Sequence, residues 1–127
     1  MDLLGKLQIR PGARVALMNA PAAVEAEIEP SVRLVEPGQA CDAAVAFCAR
    51  PADVAAFAPQ ALAGLVPDGI LWFAFRKGPA GKKAGLSRDV GWEAVRALGY
   101  DTVRSIAFDE EWSGLRFREA SRIKPRA

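Results

Sequence analysis

No histidine occurs anywhere in this chain of 127 residues. That absence removes His-based triads, imidazole general bases and imidazole metal ligands together. Chemistry is left to carboxylates, lysines, Tyr100, two cysteines or a cofactor. Cys41 and Cys48 are spaced for no zinc or redox motif and offer no disulfide framework. Cys48 reads as strand core. Long apolar runs are missing too. The longest, Gly69 to Phe75, falls far short of the roughly 20 residues that span a bilayer. The N-terminus carries Asp2, Gly5 and Lys6 and no long apolar core, so no signal peptide is expected, and the cytoplasm is the expected location.

What is present describes a globular domain: 51% hydrophobic residues and 25% charged ones. The net charge of +2 is unevenly spread. Residues 1–75 hold five Lys/Arg against eight Asp/Glu, and residues 76–127 hold twelve against seven. The C-terminal half can therefore attract anions, although a solvated surface with a basic tail accounts for the same balance.

Punctuation by Pro and Gly divides the chain into alternating elements. Leu3 to Ile9 reads as a short helical lead-in, and Arg10-Pro11-Gly12-Ala13 as a turn. Strands are predicted at 14–19, 32–35, 43–49, 70–75 and 102–108, with a sixth around Leu115 and Phe117, whose neighbours Arg116 and Arg118 give it one wet face. The third strand is apolar throughout, as befits a strand covered on both faces. Helices are predicted at 22–29, 51–65 and 88–98. Pro59 predicts a kink or break in the second of these. Residues 77–86 read as a mobile Gly/Lys loop and 66–69 as a turn. Strand–helix alternation implies a parallel sheet with right-handed crossovers. The short Asp109-Glu110-Glu111 connection implies a final antiparallel hairpin. The expectation is one three-layer, Rossmann-like α/β domain over residues 1–120, with about six strands in the order 2-1-3-4-6-5 and the last antiparallel. A basic, frayed tail is expected over 121–127.

Local sequence then suggests relatives. Leu7 to Val15, Cys41-Asp42-Ala43-Ala44-Val45 and Leu65-Val66-Pro67-Asp68-Gly69-Ile70-Leu71 resemble the lead-in, the Asp-led central strand and the glycine turn of class I S-adenosylmethionine-dependent methyltransferases. The resemblance implies a truncated form of that fold, with one helix–strand unit missing after the second strand. The family's cofactor pattern is hydrophobic-x-Asp-x-Gly-x-Gly-x-Gly. Here Leu17 stands at the acidic position, and Asn19, Pro21 and Ala23 stand at the glycines. Proline cannot take a left-handed φ and has no N–H to donate. No S-adenosylmethionine binding at physiological concentrations is expected, and no cofactor is predicted. Glu36 sits where the family holds the ribose hydroxyls. Leu17-Met18-Asn19-Ala20-Pro21, Ser87-Arg88-Asp89-Val90 and Glu111-Trp112-Ser113-Gly114-Leu115-Arg116 also resemble short bacterial proteins of unknown function, many of them actinobacterial. That likeness implies the fold and a cytoplasmic location, and no activity.

In open α/β sheets ligands bind beyond the carboxyl ends of the strands, at the switch point. The topology would bring Asn19, Ala20, Pro21, Ala49 and Arg50 there, with Arg76 and Lys77 alongside. For Asn19 the favoured reading is instead a cap for the next helix. Lys77, Lys82, Lys83 and Arg88 would converge near a helix N-terminus and form an anion site, the alternative being a basic surface loop. The sequence from Lys77 to Gly85 is not a Walker A motif. Trp72 reads as core. Asp109-Glu110-Glu111 reads as a solvated turn, and no metal site is expected.

Together these features describe a small, non-catalytic α/β domain that binds a protein partner or a small ligand. The first alternative is a minimal or degenerate S-adenosylmethionine-dependent methyltransferase. The second is a phosphate or nucleic-acid binder using the basic C-terminal half. No membrane partner is expected, no aromatic-interleaved basic stripe favours nucleic acid, and self-association stays open.

Overall fold

The computed structural model describes residues 2–123. Met1 and residues 124–127, the end of the expected frayed tail, lie outside the described residues. In chain order the elements are α1 (Leu3–Lys6), β1 (Arg14–Met18), α2 (Ala22–Ile28), β2 (Arg33–Val35), β3 (Cys41–Phe47), α3 (Pro51–Gly64), β4 (Leu65–Arg76), α4 (Gly78–Ala84), α5 (Glu93–Ala97), β5 (Tyr100–Ala107) and β6 (Trp112–Glu119). Short 3₁₀ turns follow α2 and β6, the second at Ala120–Arg122.

The six strands form one sheet in the order β2-β1-β3-β4-β6-β5. The first four are parallel, and β6 runs antiparallel to both β4 and β5. This is the order expected from the alternating pattern and the short final connection. Helices cover both faces of the parallel half. On one face Leu3, Leu4, Leu7, Val24 and Ile28 of the α1–α2 region pack on Val15, Val45, Trp72 and Ala74. On the other, Val54, Ala58 and Ala61 of α3 and Val95 of α5 pack on Ala16, Ala44, Ala46 and Phe73. β3 is therefore buried on both sides, which explains its unbroken apolar run.

Arg14 and Asp42 fasten the amino ends of β1 and β3. The guanidinium grips both carboxylate oxygens at 3.0 and 3.2 Å, and the Arg14 amide donates to Oδ2 at 2.9 Å. The side-chain bond from Arg14 holds the Asp42 carboxyl below its ordinary value.

Several elements differ from the sequence expectation. Residues 77–86 form helix α4 instead of a mobile loop. A Cβ on Gly81 would stand 2.1 Å from the Arg76 carbonyl, so only glycine lets this helix lie against the end of β4. The helix expected over 88–98 shrinks to α5. Gly91 takes φ +103°, and reciprocal bonds between Ser87 and Val90 close a turn before it. The chain then dips inward to bury Trp92, whose indole N–H donates to the Ser87 carbonyl at 2.7 Å. Last, β4 begins at Leu65, and the expected turn at 66–69 is a bulge within it. Leu65 pairs with Cys41 and Ile70 with Ala43, so surplus residues bow out around Asp68, which has φ +55°. α3 runs unbroken through the exposed Pro59, where no kink-forming break separates two helices.

Candidate functional site at the carboxyl edge of the sheet

The order of the parallel strands reverses at β1: the chain leaves it for β2 on one side and returns to β3 on the other. Such a switch point opens a crevice beyond the strand ends. Asn19 follows β1, Glu36 follows β2, Cys48 to Arg50 follow β3 and Lys77 follows β4.

Asn19 has φ +56°, the left-handed conformation that favours glycine. Its side chain is not the helix cap. Pro21 is the N-cap of α2 and makes no side-chain cap bond. Asn19 Nδ2 instead donates to the Phe47 carbonyl at 3.1 Å, which ties the ends of β1 and β3 together. Asparagine thus keeps the turn of the first glycine while using its amide as a brace. Leu17, at the acidic position, is partly buried against the α1–α2 core. The Pro21 carbonyl accepts from the amides of Val24 and Glu25, and its own nitrogen offers no donor.

Glu36 is exposed. Its backbone amide is taken by Gln39 Oε1 at 2.8 Å, while among the described residues its carboxylate has no hydrogen bond or ion pair. Arg50 is exposed at the start of α3 and stands 3.9 Å from Asp53. Asp53 in turn accepts from the Ala49 amide at 2.8 Å. Cys48 lies beneath, fully buried, and burial first and Asp53 second push its thiol up to about 12. It is a packing group rather than a nucleophile.

The edge also holds a cluster of which the sequence reading placed only Arg76 and Lys77 here. The Arg76 guanidinium lies 4.8 Å from the centre of the Trp112 ring and 3.1 Å from Glu111 Oε2. Trp112 meets Phe47 edge to face at 5.1 Å. The Glu111 carbonyl also accepts the Lys77 amide at 2.9 Å. The antiparallel register places Arg76 opposite Trp112, so the pairing depends on β6 docking beside β4.

The remaining basic residues do not converge as expected. Lys77 precedes α4, while exposed Lys82 and Lys83 lie in its last turn, where they oppose the negative end of the helix. Arg88 pairs with Asp89 at 3.8 Å, and the next helix starts only at Glu93. The anticipated helix N-terminus beside Arg88 is absent because Gly91 and the burial of Trp92 delay it. Among the described residues no group of three or more metal-ligating side chains is found, and no helix is long and apolar enough to cross a membrane.

No family model matches the chain, and no curated protein matches it in sequence. Solved structures do match in fold. A methyltransferase from Pyrococcus furiosus is similar with a TM-score of 0.55 at 14% identity, over 92% of this chain and 79% of its own. The ribosomal protein L11 methylase of Lactobacillus delbrueckii subsp. bulgaricus gives 0.54 at 13%, over 92% and 74%. The N-methyltransferase NodS of Bradyrhizobium japonicum, in complex with S-adenosyl-L-homocysteine, gives 0.53 at 11%, over 91% and 83%. These likenesses establish a Rossmann-like, class I methyltransferase-type fold. They also overturn the expectation of a non-catalytic binding domain, because these three neighbours are methyltransferases.

Proposed function

We propose that this protein is a reduced S-adenosylmethionine-dependent methyltransferase with a weakened cofactor groove at the carboxyl ends of β1 and β2. The observation that carries the reading is Asn19. It holds a left-handed turn at the first glycine position of the cofactor pattern, inside a fold shared with methyltransferases.

The residues present fit one end of the cofactor better than the other. The free carboxylate of Glu36 suits the two ribose hydroxyls, and Asn19 turns the chain as a glycine would. At the methionine end Pro21 withdraws a backbone donor. A hydrogen bond to a charged group contributes about 1.5–3 kcal/mol, so its loss weakens binding by roughly ten- to a hundredfold. When bound, the cofactor supplies an electrophilic methyl group. Arg76, braced by Glu111 and Trp112 on the same edge, is the side chain best placed to orient an acceptor. A cytoplasmic location belongs to the same proposal and is supported by the free, buried state of Cys41 and Cys48.

Calorimetry with S-adenosylhomocysteine at up to millimolar concentration tests the reading. Binding that is lost in Glu36→Ala and strengthened about tenfold in Pro21→Gly is expected. Absence of heat with the native protein and with Pro21→Gly alike overturns it.

A further inference from the structure

The α1–α2 layer stops at β4. Beyond it, β6 and β5 leave bare a strip of sheet that carries Arg104, Arg116 and Arg118, with Gln8 and Asp68 at its rim. This groove lies toward the amino ends of the parallel strands, opposite the crevice at Asn19. Its charges are not balanced. Asp68 is gripped by Arg118 through two bonds of 2.8 and 2.9 Å. Arg116 has only the neutral Gln8 Oε1, at 2.7 Å, and its Nε is buried with no partner. Arg104 makes no side-chain hydrogen bond or ion pair among the described residues, and it stands directly opposite Arg116 in the β5–β6 register. A bulge at Val103 creates this pairing, since Thr102 faces Phe117 and Arg104 faces Arg116. Like charges directly opposed across two strands are unfavourable. Burial and the neighbouring Arg118 and Arg104 cations also push the Arg116 guanidinium below its ordinary value, against the pull of Asp68.

We propose that this groove binds a phosphoryl group, seated between the guanidinia of Arg104 and Arg116 with the Gln8 amide beside them. With Asp68 taken by Arg118, Arg104 and Arg116 are two cations paired with no carboxylate, and they match the charge of about −1.5 to −2 that a phosphate monoester carries near neutral pH. Guanidinium forks suit its several oxygens. Gln8 already gives its Oε1 to Arg116, and its Nε2 remains a donor. The inference does not rest on the methyltransferase reading, and it is tested with no adenosyl ligand present.

Binding is measured by calorimetry at low salt, with inorganic pyrophosphate and with a short single-stranded oligoribonucleotide as separate probes. The proteins are native, Arg104→Gln, and Lys82→Ala/Lys83→Ala. Arg104 is exposed, so its replacement leaves the core intact. Pyrophosphate binding that falls about tenfold in Arg104→Gln and is unchanged in the double lysine variant assigns a small phosphoryl anion. Oligonucleotide binding alone, lost in the same variant, assigns a phosphodiester chain as the source. Binding that Arg104→Gln leaves unchanged, or no binding of either probe, overturns the site.

Discussion

The parallel and antiparallel halves of the sheet are filled with different material. β1 and β3 face the helices with Val15, Ala16, Ala43, Ala44, Val45 and Ala46, each at most 1% exposed. β4 borders both halves, parallel to β3 and antiparallel to β6, and with β6 it presents Trp72, Phe73, Phe75, Trp112 and Phe117. Small side chains let α2 and α3 lie close over the parallel half. The antiparallel half has less helix above it, because α5 is only five residues long. Rings fill the remaining space. Trp92 sits 5.6 Å from both Phe75 and Phe117, and Phe73 meets Phe117 edge to face at 5.4 Å. One half is held by close helix approach, the other by aromatic volume.

The contrast breaks most visibly at Trp92. Trp92→Ala removes the centre of the ring cluster and is expected to cost about 3–5 kcal/mol in denaturant unfolding. Ala44→Leu attacks the other half by forcing volume between β3 and α3, at about 1–3 kcal/mol. If the Ala44 variant proved the more destabilised of the two, the assignment of aromatic volume to one half would fail.

Cys48 reports how dry the small-residue half is. With its thiol pushed up to about 12, it should resist alkylation in the folded protein at pH 9 and react on unfolding. The thiol's contribution to stability is complete below the unfolded value of about 8.5 and declines as pH rises toward the folded one. Cys48→Ala should flatten that alkaline decline, while rapid labelling of the native protein would show water in this half.

The smallest effects belong to two Arg–Asp forks, one in each half. Asp42 and Asp68 are both held below the ordinary carboxylate range, chiefly by side-chain bonds from Arg14 and Arg118. Their contributions are present above about pH 4 and are lost as pH falls through the lowered folded values. Asp42 also accepts the Arg14 amide, so Asp42→Asn should flatten the acid limb of stability more than Asp68→Asn. Equal effects in acid denaturation curves would remove that distinction.

Much of the fold was legible because its signals are local. The apolar run of β3, the strand–helix alternation and the short Asp109–Glu111 link fix the strand order without tertiary knowledge. Gly78, Pro79 and Gly81 read as loop because their reason for being helical is tertiary: Gly81 must pass the Arg76 carbonyl. α5 was overextended for a similar reason, since the burial of Trp92 decides where it starts. At the carboxyl edge, Asn19 was visible as a switch-point residue standing at a glycine position, but its brace to Phe47 was not. Arg76 on Trp112 and Arg104 opposite Arg116 follow from strand register, and the second also from a bulge. Neither can be counted off from spacing.

Two bonds at the start of the chain bear on the timing of folding. The Trp72 indole donates to the Leu7 carbonyl across 65 positions, and Arg116 reaches Gln8 across 108. Contacts so distant in sequence slow folding, because their loops must close before they contribute. During synthesis the N-terminal segment emerges first, yet its last partner belongs to the final strand. The segment before β1 is therefore expected to remain open to hydrogen exchange and proteases until β6 docks, so residues made ahead of the sheet are secured only after its β6 strand is in place.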